Sequence, residues 1–275
     1  MSVPALLDPL VVSLERRWYV ALFLVTYLVL ALRHLGARRT LLFSGVAAAI
    51  SWLSEVPSIR VGFPYGLYTY HWQGADGSNP TGLDPREPAL LGVPCLSTLS
   101  YVFLNYAALC CALVLLGRRE PPAGFRGRAA LAALSAALVV AIDTVVDPIA
   151  LRGGEWFLGK MYFYPHGGEH WGVPISNYAG WLLVGSLIAG LYLALEARLA
   201  APPPARAGGA ALGTALFFSV LAFNIGVTFF VGARDLGWSS AAIAAPLLVL
   251  SLARAGLTDP GGPSKLGAPD GRGVS

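Results

Sequence analysis

Apolar residues along this chain neither alternate nor keep to one narrow helical stripe; they come in long runs broken by short polar connections. A helix that crosses a bilayer needs roughly 20 predominantly apolar residues. Seven stretches meet that need, at about 17–33, 41–59, 89–117, 129–151, 173–197, 210–232 and 236–253, the first and last being the shortest. The predicted fold class is an all-α membrane protein, a bundle of about seven transmembrane helices. One domain is expected over residues 1–255, followed by a disordered Gly/Pro/Ser-rich tail at 256–275.

Arginine placement orients the bundle. The connections at 33–40, 118–128 and 198–209 and the tail hold 12 Lys and Arg, against 7 on the other side. The richer side is expected to face the cytoplasm, which puts the N-terminus outside. The basic pair Arg16–Arg17 follows an apolar stretch instead of preceding one, unlike a cleaved signal peptide, so the first span is expected to be retained.

Composition supports this reading. Apolar residues make up 56% of the chain and charged residues 12%, about half the share in an ordinary soluble domain. The net charge of +4 is explained by arginines flanking spans, so no nucleic-acid partner is expected. The expected location is the cell (cytoplasmic) membrane, with lipid around the protein. Cys110 and Cys111 are adjacent, and Cys95 opens the same apolar run. Adjacent helical residues point apart, so these read as small apolar filler and not as a bridge or metal clip.

Two connections on the side opposite the arginines stand out. Residues 60–88 and 152–172 are long and crowded with aromatics, glycines, prolines and isolated charges. An interfacial aromatic belt would account for rings near span ends, but not for two dense clusters on one side, and long loops of this kind tend to carry function. An internal echo accompanies them. Glu55, an aromatic loop, Gly92-Val93-Pro94 and a span are followed by Asp143 and Asp147, an aromatic loop, Gly172-Val173-Pro174 and a span. Both units run in the same direction, the pattern of a parallel repeat.

The acids are the first candidates for chemistry. Ionisable residues within spans are costly and usually face an interior cavity. Asp143 and Asp147 are four apart and share a helix face. Carboxyls crowded at one depth resist full ionisation together, so one is expected to hold a proton and serve as general acid. A structural role is the plainer alternative: Asp147 bonding loop amides, Glu55 sitting among headgroups. His166 and His170 flank two glycines after Pro165, a stretch unlike a helix, so no metal site is expected. A retinal protein needs a lysine within a span, and the only lysines are Lys160, in a loop, and Lys265, in the tail. Nucleotide-binding and nucleophile-elbow motifs are absent from the sequence, which favours a reaction without a bound cofactor. Tyr65, Tyr68, Tyr70, Trp72, Trp156, Tyr162, Tyr164, Trp171 and Trp181 gather toward the same end, where they could line a pocket for a polyene or steady a carbocation through their ring faces.

The run Glu55…Gly62-Phe63-Pro64-Tyr65-Gly66-Leu67-Tyr68-Thr69-Tyr70…Gly92-Val93-Pro94, with Asp143…Asp147-Pro148…Trp156…Trp171-Gly172-Val173-Pro174…Asn177…Gly180-Trp181, resembles the paired signatures of the integral-membrane carotenoid-biosynthesis proteins. That family includes hydratases of the gamma-carotene 1′-hydroxylase and bisanhydrobacterioruberin hydratase kind. The resemblance covers roughly residues 40–255 and departs at Pro165–Glu169. It implies a cofactor-independent carotenoid 1,2-hydratase, a hydro-lyase acting on lycopene-like or gamma-carotene-like acyclic end groups. It also implies a hydrophobic carotenoid substrate and, as partners, other enzymes of the pathway. On this reading Glu55, Asp143 or Asp147 supplies the proton and another of the three positions the water. Tyr65, Tyr68, Tyr70, Trp156, His170 and Trp181 meet the end group, and Asn177 bonds the water or the product hydroxyl. A transporter, a non-catalytic carotenoid-binding partner and a polyprenoid cyclase or isomerase are the competing expectations.

Overall fold

The computed structural model describes residues 8–199 and 208–258. Among them are eight α-helices: α1 Asp8–Arg16, α2 Trp18–His34, α3 Ala37–Val61, α4 Cys95–Leu115, α5 Phe125–Leu151, α6 Ile175–Glu196, α7 Gly209–Phe230 and α8 Arg234–Thr258. The architecture is an all-α membrane bundle. The six helices α3–α8 are long and apolar enough to cross a bilayer. Helix α2 is also apolar but has 17 residues, about 26 Å at 1.5 Å per residue, short of a 30 Å hydrocarbon core. The short helix α1 escaped the sequence reading. Helix α8 continues to Thr258, past the expected boundary at 255/256; the rest of the expected tail, residues 259–275, lies outside the described residues.

Helix α4 is the axis of the bundle. It packs against α2, α3, α5, α6, α7 and α8, and every residue from Tyr101 to Val114 is buried. A helix apolar on all sides is expected at such a position. The outer helices bury one face and turn the other outward: Leu182, Leu183, Leu187 and Leu191 on α6, and Leu248, Val249, Leu250 and Leu252 on α8, are exposed. Such faces suit lipid.

The third span was expected to begin near residue 89, but α4 begins at Cys95. Residues 89–94 instead form a tight hairpin, β2 (Ala89–Leu90) with β3 (Val93–Pro94). Its central residues Leu91 and Gly92 both have positive φ, 53° and 89°, the pattern of a two-residue type I′ turn. The second Gly-Val-Pro repeats the geometry: Trp171 and Gly172 have φ of 55° and 94°, and His170 bridges Val173. Each turn ends in an extended proline, Pro94 or Pro174, at the N-cap of the next helix. The proline cannot donate a hydrogen bond and its fixed φ suits a helix start. The two aromatic loops are joined by β1 (Thr69–Tyr70), which pairs antiparallel with β4 (Tyr162–Phe163) in the register Thr69↔Phe163 and Tyr70↔Tyr162. The His71 N–H donates to the Met161 carbonyl at 2.7 Å beside this pair.

Candidate active site

The short β1–β4 ribbon lies over the ends of α3 and α5 and hangs its tyrosines on their acids. Glu55, on α3, is 1% exposed. Its Oε2 accepts hydrogen bonds from Ser97 Oγ at 3.0 Å, from the Tyr68 hydroxyl at 3.4 Å and from the Tyr70 hydroxyl. Its Oε1 is buried and has no hydrogen-bond partner. A buried acceptor without a protein donor is costly.

Asp143 and Asp147, on α5, form the second acid group, at 3% and 8% exposure. Asn177 Nδ2 donates to Asp143 Oδ2 at 2.6 Å and to Asp147 Oδ2 at 2.9 Å. The Tyr162 hydroxyl donates to Asp147 Oδ1 at 2.8 Å and the Tyr164 hydroxyl to Asp147 Oδ2 at 3.2 Å. One amide group thus bridges the two carboxyls. Asn177 was expected to hold water or product. Both its amide hydrogens go to the two aspartates, and it borders the cavity.

Both acid groups border one cavity of about 180 Å³. Its wall is mostly apolar and aromatic. Tyr65, Tyr68, Tyr70, Trp156 and Trp181, all expected at the site, line it, together with Tyr19, Phe23, Phe103, Tyr101 and Phe223 from α2, α4 and α7. The Trp181 ring stacks on Tyr101 with centroids 4.3 Å apart, and the Tyr65 hydroxyl is 3.0 Å from Ser54 Oγ. Trp156 Nε1 donates to the Ile149 carbonyl at 3.0 Å, holding its ring where α5 ends. His170 stands apart: it is half-buried, bonds the Tyr178 hydroxyl, and is not among the lining residues.

The ribbon brings four tyrosine rings into one cluster. Tyr68 packs edge-to-face on Tyr70 at 5.5 Å and on Tyr162 and Tyr164 at 5.9 Å each. Burial holds the phenols of Tyr68, Tyr70 and Tyr162 far above the ordinary tyrosine range and raises that of Tyr164, and the neighbouring acids push each of the four further up. These hydroxyls stay neutral at any physiological pH.

An ion pair closes the loop end. Arg17, 2% exposed, lies 3.3 Å from Glu87 Oε1 and donates to the Leu158 carbonyl, so that one guanidinium joins the two aromatic loops. Arg17 also borders the cavity.

Of the residues missed from sequence, Ser97 had a readable signal. It lies three residues after Pro94, the offset of Asn177 from Pro174, and each of the two bonds its own acid group. Tyr101 and Trp181 likewise share an offset and stack on each other. Tyr162 and Tyr164 were expected among the rings at this end, and their spacing mirrors the Tyr-x-Tyr of Tyr68 and Tyr70; what the sequence did not show is that they bond Asp147. The contributions of α2 and α7 had no sequence signal, since Tyr19, Phe23 and Phe223 look like any other apolar residues of a span.

Residues 16–252 match the model of a family described as carotenoid biosynthesis protein. The bisanhydrobacterioruberin hydratase of Haloarcula japonica is 35% identical over 139 residues, covering 50% of this chain and 39% of that protein. The aligned stretch therefore spans well under two thirds of the relative's length. No solved structure matches the chain.

Proposed function

Because this chain belongs to the carotenoid biosynthesis protein family, we propose that it is a carotenoid hydratase, a hydro-lyase that adds water across the terminal C1=C2 bond of an acyclic (ψ) end group to give a tertiary alcohol. The substrate end would be of the lycopene or gamma-carotene type, reached from the cytoplasmic membrane, with other enzymes of the pathway as its partners. The observation that carries the reading is a single aromatic cavity bordered by two separate carboxyl groups, one of which turns an unbonded oxygen to the buried interior.

Hydration of an isolated alkene needs an acid, then a base, with the cation steadied between them. The Asp143–Asp147 pair, held by Asn177, serves as the acid, since two carboxyls crowded together resist full ionisation and one keeps a proton. Its proton goes to C2, the C1=C2 π pair forms the new C–H bond, and a tertiary cation remains at C1. Ring faces of the cavity stabilise that cation, and the remaining aspartate charge does the same at short range in a dry site. Glu55 serves as the base. Three hydroxyl donors on Oε2 match a carboxylate, which only accepts, and they leave Oε1 to take a proton from water as the water oxygen bonds C1. The proton given to carbon equals the proton taken from water, so the sum needs no oxidant or reductant.

The test is expression in cells that accumulate lycopene or gamma-carotene, followed by liquid chromatography with mass spectrometry. A more polar pigment heavier by one water, with its visible spectrum unchanged, is the expected product. An unchanged pigment profile with the protein present in the membrane would instead favour a transporter or a carotenoid-holding partner, and a new pigment of unchanged mass would point to a cyclase or isomerase.

A further inference from the structure

The three acids at the cavity are not held alike. Glu55 accepts side-chain hydrogen bonds from Ser97, Tyr68 and Tyr70. Asp147 accepts them from Tyr162, Tyr164 and Asn177. Asp143 receives only the Asn177 amide that it shares with Asp147, at 2.6 Å, and no hydroxyl among the described residues donates to it. Depth explains the difference. Helix α5 runs toward the loops, and Asp143 precedes Asp147 by one turn, about 6 Å at 1.5 Å per residue. Tyr162 and Tyr164 reach down from the β1–β4 ribbon and its flank, and they meet the nearer carboxyl.

Donor number decides charge. An ionised carboxyl only accepts hydrogen bonds, whereas a protonated one needs a single acceptor for its own O–H. Donors that converge on a carboxyl favour its charged form, and burial with few donors favours the neutral form. Asp143, 3% exposed, has the burial without the donors.

We propose that Asp143 carries the proton delivered to the alkene, and that Asp147 is its ionised partner, fixed in charge and place by Tyr162, Tyr164 and Asn177. The inference rests on the hydratase reading and divides the roles within the acid pair. Both aspartates border the cavity. In the step, the Asp143 O–H bond breaks and leaves its electron pair on oxygen, while the alkene π pair takes the proton at C2. The cation at C1 then meets an Asp147 charge that was in place beforehand, so no dipole has to turn toward it. Water in the cavity returns a proton to Asp143 and takes away the one that Glu55 removed from the attacking water.

Activity alone does not divide the pair. Asp143→Asn removes the proton and Asp147→Asn removes the charge, and each should slow hydration by about 100-fold or more. Infrared spectra of the substrate-free, full-length protein in lipid vesicles at neutral pH do divide it. Subtracting each variant from the unmodified protein cancels the bands of the other acids. Asp143→Asn is expected to remove a protonated-carboxyl C=O band that shifts in heavy water. Asp147→Asn is expected to remove a pair of carboxylate bands instead. Tyr162→Phe, which keeps the ring, should shift those carboxylate bands and leave the C=O band in place. The reverse assignment, the same kind of band lost in both amide variants, or no shift in Tyr162→Phe overturns the proposal. If one amide variant does not fold, the other still reads the assignment, because the two losses differ in kind. The pigment assay fails separately. Spectra as expected with no hydrated pigment from the unmodified protein would remove the hydratase reading and the delivery step with it. Reversed spectra beside hydrated pigment would sink the division of roles alone.

Discussion

Gly180 offers a way to disturb the site without replacing any group proposed to act. It lies on α6 under the loop that carries Tyr65, Tyr68 and Tyr70. A Cβ added there would stand 2.6 Å from Tyr65 Cδ1, 2.8 Å from the Pro64 carbonyl oxygen and 2.9 Å from the Pro64 carbonyl carbon. Carbon atoms in contact settle at about 3.5–4.0 Å, so Gly180→Ala must move the Pro64–Tyr65 backbone by roughly 0.6–1 Å. Two of the three opposing atoms belong to the main chain, so no rotamer change relieves the clash. Overpacking of this kind costs about 1–3 kcal/mol. The larger effect is expected on turnover, because Tyr68 and Tyr70, which bond Glu55, lie a few residues on, and a shift of about 1 Å in a catalytic group costs on the order of 100-fold. Gly190→Ala, on the same helix with nothing within 4 Å of the added atom, is the control and should leave both stability and activity near the original. Pigment conversion by mass spectrometry, with membrane level and thermal melting measured alongside, reads the result. Gly180→Ala at full activity, or an equal loss in Gly190→Ala, would refute the claim that the 62–70 loop sets the geometry at Glu55.

Replacing Glu55 by Gln should cut hydration by about 10²–10⁴-fold, the usual size of a general-base contribution, while leaving the acid half intact. Carotenoid recovered from the Glu55→Gln protein in heavy water should then still gain deuterium at the end group, and that from Asp143→Asn or Asp147→Asn should not; deuterium in the reverse pattern would exchange the roles of the two acid groups. Arg17→Met strands Glu87 as a buried unpaired charge and should destabilise by about 3–5 kcal/mol, with Arg17→Met/Glu87→Met recovering most of that in a detergent melt; a double variant no better than the single one would show that the pair is not the cause. Asp84, in the first aromatic loop, is held at about 2, below its ordinary 3.8, chiefly by hydrogen bonds from the Arg86 side chain. A depressed folded-state value gives stability that is complete above about pH 4 and is lost as pH falls toward 2. Asp84→Asn should flatten the melting profile over that window, and an unchanged slope there would count against the assignment.

Much of this protein is decided by one-dimensional information. Runs of apolar residues of about membrane length dictate helices, because a backbone in lipid must satisfy its own hydrogen bonds, and six of the seven expected spans appear as helices of sufficient length. Acids inside such runs are so costly that Glu55, Asp143 and Asp147 could be singled out by hydropathy alone. The two Gly-Val-Pro motifs were visible as a repeat but not as turns: the first lay inside the expected third span, and only the structure shows the positive φ that calls for glycine at Gly92 and Gly172. The tertiary structure decided the rest. That β1 pairs with β4, so that tyrosines from two loops reach two different acids, depends on a contact between residues more than ninety apart, which no periodicity records. The central place of α4 and the aromatic rings that α2 and α7 add to the cavity were equally hidden, since a span facing lipid and a span facing other helices can have the same composition. His170 shows the converse. Its residue type and neighbourhood in the chain suited a site, but Tyr178 holds it beside the cavity and not in it. Local sequence selects which groups are too expensive to be idle in a membrane; packing determines which of them meet.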